Sequence, residues 1–77
     1  MSRAREVADD IGPRLDKAAA DIGDLRRQLE IALTRRDQII VEADREGWTQ
    51  RLIAKRARVS QPHVLRIVAA AALKAAG

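Results

Sequence analysis

Apolar residues in the first half of the chain recur at helical spacing. They alternate at intervals of three and four residues, and the series is Leu15, Ala18, Ile22, Leu25, Leu29, Ala32, Ile39 and Ala43. This is the spacing of a heptad, and Arg36 interrupts it. The pattern predicts one long α-helix over residues 14–45. Gly23 lies inside it and lowers the helix propensity by about 1 kcal/mol.

A separate short helix is predicted ahead of the long one, over residues 2–11. Its apolar positions are Ala4, Val7, Ala8 and Ile11. Gly12 and Pro13 are expected to break or kink the chain after it, and Pro13 suits the first residue of the next helix. At the other end, Gly47 is expected to terminate the long helix.

Two further helices are predicted after Gly47. Thr49 is a good N-cap for a short helix that ends near Ala57, and a tight connection follows. Ser60 caps a third helix, in which Pro62 is tolerated because it falls in the first turn. The fold class predicted is therefore all-α: a short N-terminal helix, a long central helix and a C-terminal pair.

The heptad stripe needs a partner. Thirty helical residues span about 45 Å, and a C-terminal unit of some thirty residues is too small to cover all of that length. We therefore expect residues 1–35 to form a dimerisation arm, with a homodimer seam of Leu15, Ile22, Leu25 and Leu29. Parallel and antiparallel pairing both remain open, and the N-terminal helix could instead fold back on the stripe within one chain.

Composition narrows the possible classes of protein. The chain has 77 residues, no Cys, one His and a single aromatic residue, Trp48. Disulfides and thiolate zinc sites are excluded, and His63 has no second ligand for a metal. Trp48 is expected in the core, against Leu52, Ile40 and the third helix, and the alternative is a platform for stacking. No apolar run is long enough to cross a membrane, and no secretory signal is present, so a cytoplasmic protein is expected.

Charge is divided unevenly along the chain. Residues 1–46 contain nine basic and all eleven acidic residues, whereas residues 47–77 contain six basic residues and no acidic one. A segment without carboxylates is typical of a surface that faces phosphate, although solvated basic faces and contacts with anionic membranes produce the same imbalance.

The twenty residues from Gln50 to Ala69 resemble the bihelical helix-turn-helix of bacterial and phage DNA-binding proteins, repressors among them. The small or apolar positions of that motif are occupied by Ile53, Ala54, Ala57, Val59, Val64 and Ile67. Two helices that cross at about 100° approach closely, so Ala54 must be small. The turn usually contains Gly, but here it has Arg58. Either a left-handed Arg costs about 1 kcal/mol, or the turn has another shape.

The resemblance implies roles for individual residues. Residues 36–77 would be a trihelical DNA-binding domain that begins with Ile39, Ile40 and Ala43. The base-contacting residues implied are Ser60, Gln61, His63 and Arg66. The phosphate-contacting residues implied are Thr49, Gln50, Arg51, Lys55, Arg56 and Arg58.

Some of these roles have alternatives. Gln61 suits adenine and Arg66 suits guanine, whereas Ser60 could act as a cap alone. His63 could contact phosphate, contact a base or face solvent. Leu65 could touch a thymine methyl group, the N-terminal arm or a dimer partner.

The function expected is sequence-specific, non-catalytic binding of double-stranded DNA by a small transcriptional repressor at the nucleoid. No nucleophile motif, glycine-rich phosphate loop or paired-carboxylate pocket is present, so catalytic residues, cofactors and small-molecule ligands are not expected. The alternatives are a recombination directionality factor, a packaging-recognition subunit or an antitoxin-type autoregulator. Outside DNA binding, the alternative is a helical adaptor whose basic face meets an acidic protein.

Overall fold

The computed structural model describes residues 10–77, which form three α-helices and no strand. Helix α1 is Ile11–Arg45, α2 is Gln50–Ala57 and α3 is Gln61–Ala76. The all-α class, the long helix and the C-terminal pair of helices are confirmed. The short helix predicted over residues 2–11 lies outside the described residues except at its last two positions. No helix among the described residues is both long and apolar enough to cross a bilayer.

The predicted break at Gly12 and Pro13 is wrong, because α1 already begins at Ile11. Arg14 N–H donates to the Asp10 carbonyl at 3.1 Å, so the helical hydrogen bonds start at the residue after Pro13. In the first turn the backbone N–H groups have no partner within the helix, so a proline costs little there.

Gly47 terminates α1 as predicted, through a Schellman motif. Trp48 N–H donates to the Ala43 carbonyl at 3.1 Å, and Gly47 N–H donates to the Asp44 carbonyl at 3.0 Å. Gly47 has a φ of 92°, which is the left-handed region that glycine enters without steric cost.

Thr49 caps α2, and an arginine closes its other end. The Thr49 side-chain oxygen accepts from Leu52 N–H at 3.2 Å. Arg58 has φ 59° and ψ 44°, and both its N–H and that of Val59 donate to the Ala54 carbonyl. Of the two alternatives for the turn, the structure has the left-handed arginine, so α2 closes in the way that Gly47 closes α1.

Ser60 caps α3, as the sequence predicts. Its side-chain oxygen accepts from His63 N–H at 3.2 Å, and its backbone is extended. Pro62 lies in the first turn, where it removes no helical hydrogen bond.

One small core joins the three helices. Its buried side chains are Ile40 of α1, Ile53 and Ala54 of α2, and Val64 of α3. The partly buried side chains packed against them are Ala43, Ala57, Val59, Ile67 and Val68. All six apolar positions of the motif therefore face this core, as predicted.

Trp48 is not part of the core, which corrects the prediction. Its side chain is 41% exposed, and Leu52 is equally open at 42%. Trp48 instead lines an open groove between α1 and α2, with Ala43 and Ile40 on the α1 side. The Schellman motif explains this position, because it bonds the Trp48 backbone to Ala43 and so holds the residue beside α1.

The chain divides into two compact units, with the boundary between Ile31 and Ala32. In the first unit, residues 10–31 contain no buried side chain. Its ion pairs join Asp10, just before α1, to Arg14, and Lys17 to Asp21 and Asp24 to Arg27 within α1. Exposed pairs at this spacing add only about 0.2–0.5 kcal/mol each, so they support the helix without packing it.

Candidate nucleic-acid interface

The first two turns of α3 have one buried face and one open face. Val64 is fully buried and Ile67 is partly buried, whereas Gln61, Leu65 and Arg66 are exposed. At 100° per residue, the exposed residues lie on the side of the helix opposite the buried ones. The start of α3 therefore presents an amide, an apolar side chain and a guanidinium to solvent.

The two capping hydroxyls keep a donor for other partners. Thr49 and Ser60 each accept one hydrogen bond from the helix that they cap. A hydroxyl also has one O–H to donate, and capping does not use it. Capping by Ser60 is therefore compatible with a second contact to a phosphate or a base.

His63 is half-buried and lies between two arginines. Its Nε2 is 3.1 Å from Arg36 Nη2, and its Nδ1 is 3.4 Å from Arg66 Nη2. Arg36 also donates to Asp37 Oδ1, from Nε at 3.1 Å and from Nη2 at 2.9 Å. These four residues line an open groove of about 570 Å³ between α1 and α3, the His63 groove.

Sequence reasoning missed Arg36 and Asp37 as members of this site. The available signal was the break in the heptad, where Arg36 stands at a position otherwise occupied by an apolar residue. The structure shows why that position is polar: its side chain reaches across to α3 and contacts His63.

The predicted phosphate-contacting residues do not all lie in one place. Gln50 is half-buried at the start of α2, and the side chains of Arg51, Lys55 and Arg58 are exposed. Arg56 lines a different groove, of about 370 Å³, between α1 and α2. We call it the Trp48 groove, and its lining also includes Ala32, Arg35, Ile39 and Ala57.

The α2–α3 segment carries charge of one sign only. Residues 47–77 contain no carboxylate side chain, so every charged side chain there is basic. The acidic group bonded within the His63 groove is Asp37 of α1, which pairs with Arg36. Among residues 10–77, no three His, Asp or Glu side chains lie close enough to share a metal ion.

Comparison with protein families, with curated proteins and with solved structures finds no match for this chain.

Proposed function

We propose that this chain binds double-stranded DNA sequence-specifically, through a helix-turn-helix made of α2, the turn at residues 58–60 and α3. It would act as a small, non-catalytic transcriptional repressor. The observation that carries the proposal is the exposed face of Gln61, Leu65 and Arg66 at the start of α3, on a segment that has no carboxylate.

The chemistry of that face fits the major groove. A recognition helix enters with its N-terminal residues at the base edges. Arg66 would donate to guanine O6 and N7, and Gln61 would pair with adenine. Thr49, Gln50 and Arg51 stand at the start of α2, where free backbone N–H groups and side chains meet phosphate.

Selection of bound sites from random duplexes tests the proposal, with the affinity measured at several salt concentrations. Arg66→Ala should lose about 1–3 kcal/mol of specific binding and relax the preference at one base pair. Arg51→Ala should weaken all duplexes about equally, because phosphate contacts are independent of sequence.

The matched control for Arg66→Ala is Lys74→Ala, which removes one charge near the other end of the same helix. It should leave the selected motif unchanged. An Arg66→Ala protein that selects the wild-type motif would show that α3 is not the recognition helix.

A second copy of this chain is the partner proposed for the stripe on α1. Leu15, Ile22, Leu25 and Leu29 are each at least half exposed. Soluble monomers seldom expose an apolar stripe of this length. A dimer also gains affinity by engaging two half-sites, about 34 Å apart, on one duplex.

Charges beside the stripe favour parallel pairing. With Leu15 at heptad position a, Asp21 falls at g and Arg26 at e. In a parallel pair, Asp21 faces Arg26 of the partner subunit, and the symmetry makes this contact twice. An antiparallel pair sets g against g and e against e, so these two residues would not meet.

A charge swap tests the parallel arrangement. Asp21→Arg alone and Arg26→Asp alone should each raise the dimer dissociation constant about threefold to tenfold. The double variant should recover most of the loss, and sedimentation equilibrium measures all four proteins. The four proteins form a double-mutant cycle, in which the contribution of the ion pair between Asp21 and Lys17, at 3.3 Å, cancels. Additive losses in the double variant would contradict parallel pairing.

The Trp48 groove favours a second candidate function, a helical adaptor. Its apolar lining is flanked by Arg35, Arg36 and Arg56, with no acidic residue in the lining. That chemistry fits an acidic amphipathic helix of another protein. Binding of such a peptide that Trp48→Ala abolishes, combined with no sequence preference on DNA, would favour the adaptor.

A further inference from the structure

The contacts around His63 restrict where its ring proton sits. A guanidinium can only donate hydrogen bonds, so a ring nitrogen of His63 that bonds to Arg36 or to Arg66 must accept. A neutral imidazole has one accepting and one donating nitrogen. Nε2 is the closer acceptor, at 3.1 Å from Arg36 against 3.4 Å between Nδ1 and Arg66, and this favours the proton on Nδ1.

Asp37 holds in place the Arg36 guanidinium that donates to His63 Nε2. It accepts from Nε and from Nη2 of Arg36, which sets the orientation of the guanidinium plane. Nη2 has two hydrogens, so one is available for Asp37 and the other for His63. Both hydrogens of Nη2 are thus accounted for.

On the other side of the ring, two donors meet. With the proton on Nδ1, His63 Nδ1–H and Arg66 Nη2 lie 3.4 Å apart and both are donors. Arg66 is exposed and lies on the open face of α3. Two donors thus converge at the surface.

We infer that Arg36, oriented by Asp37, is a positioning residue that holds His63 in its Nδ1–H tautomer, so that His63 and Arg66 offer two donors to one acceptor on the duplex. The acceptor is an oxygen or nitrogen atom, either at a guanine edge or on a phosphate. This step rests on the proposed function, because it deepens the recognition role of Arg66. It gives His63 a defined role as a donor.

The tautomer is measurable in the free protein. The ¹⁵N shifts of the His63 ring in alkaline buffer, where the imidazole is neutral, should show a protonated Nδ1 and an unprotonated Nε2. Histidine in water favours the opposite tautomer, so this result would not arise by default. Predominant Nε2–H in the wild-type protein would overturn the inference, and that measurement requires no variant to fold.

Variants assign the effect to Arg36. Arg36→Met keeps the length of the side chain but cannot donate, so the ring should revert towards Nε2–H. Arg36→Lys should restore Nδ1–H, because an ammonium donates at a similar reach. Asp37→Asn should shift the tautomer less than Arg36→Met does. A ring that stays Nδ1–H in folded Arg36→Met would show that Arg36 does not set the tautomer.

Binding experiments locate the acceptor. Arg36→Met should reduce discrimination at the base pair assigned to Arg66 about fivefold to tenfold. If the acceptor is guanine N7, 7-deazaguanine at that position should remove the difference between wild type and Arg36→Met. If it is guanine O6, 2-aminopurine, which lacks that oxygen, should do so, and if it is a phosphate, a methylphosphonate at the adjoining position should do so. Persistence of the difference with all three analogues would overturn the shared-acceptor role.

The inference and the proposed function fail in different ways. A wild-type protein that selects no duplex would overturn the proposed function and the shared acceptor with it. The tautomer in the free protein would still decide the role of Arg36 towards His63.

Discussion

The two parts of α1 carry similar apolar residues in very different surroundings. In residues 11–31, Leu15 is 64% exposed and Leu25 is 62% exposed. In residues 32–45, Ile40 is 2% exposed and belongs to the core with Ile53 and Val64. Ile39, which continues the heptad series, is 55% exposed, whereas Ala43 of the same series packs against the core. The apolar stripe is therefore bare in the first part of α1 and only partly packed in the second. Periodicity indicates which face of a helix is apolar, but the packing partner determines whether that face is buried.

The largest effect, on the oligomeric state, is expected when charges are introduced into the exposed stripe of residues 11–31. Leu25→Asp combined with Leu29→Asp should halve the solution mass, because carboxylates in the seam would lose hydration and repel each other. It should also weaken binding to a two-half-site operator far more than to a single half-site. Analytical ultracentrifugation and titration of the two duplexes provide the measurements.

Ile31→Asp is the matched control for that pair of substitutions. Ile31 is 55% exposed on the same helix but lies outside the heptad series. The control should keep the wild-type mass. A wild-type protein that sediments as a monomer at micromolar concentration would remove the dimer and leave the DNA-binding proposal standing.

A smaller effect, on stability, is expected when a larger side chain is placed in the core that covers the second part of α1. Ala54 is buried in the core beside Ile53 and Val64. Ala54→Leu should lower the free energy of unfolding by about 1–3 kcal/mol or more, because α2 and α3 cannot separate to admit the larger side chain without losing contacts. Thermal unfolding followed by circular dichroism measures the loss, and in a unit this small it could abolish folding.

Ala72→Leu makes the same substitution at an exposed position of α3. It should change the melting temperature little. An Ala54→Leu protein that melts like wild type would mean that the two helices do not cross closely at Ala54.

The smallest effect, and the one of opposite sign, is expected at the left-handed turn. Arg58→Gly should raise the free energy of unfolding by about 0.5–1 kcal/mol, since glycine enters the left-handed region without clash. Arg58→Lys keeps the charge and the strain, so its stability should match wild type. Comparing the two variants in DNA titrations separates the charge at position 58 from the strain. A destabilised Arg58→Gly would show that the side chain of Arg58 supports the turn.

Features set by neighbouring residues could be predicted from the sequence. The caps at Thr49 and Ser60 and the end of α1 at Gly47 depend on hydrogen bonds within a few residues. The six inward positions of the motif follow from helical spacing. The start of α1 was missed because a proline in the first turn and a proline that breaks a helix look alike in sequence.

Features that depend on packing could not be predicted. Trp48 was expected in the core because aromatic residues usually contribute most to burial, but the turn after α1 holds it beside Ala43. The contact of Arg36 with His63 joins residues 27 positions apart, and no local pattern specifies such a pair. The site candidates His63 and Arg66 were found in sequence, whereas the residue that orients His63 was not.

The smallness of the core has a kinetic consequence. Its four buried side chains all lie between residues 40 and 64, so the contacts that define the unit close short loops of chain. Helical proteins with such local contacts fold in about microseconds to milliseconds. The proposed pairing of two chains would require diffusion and depend on concentration, so it would be the slower event at low protein levels. The time for new protein to become able to occupy an operator would then be set by its abundance rather than by its folding.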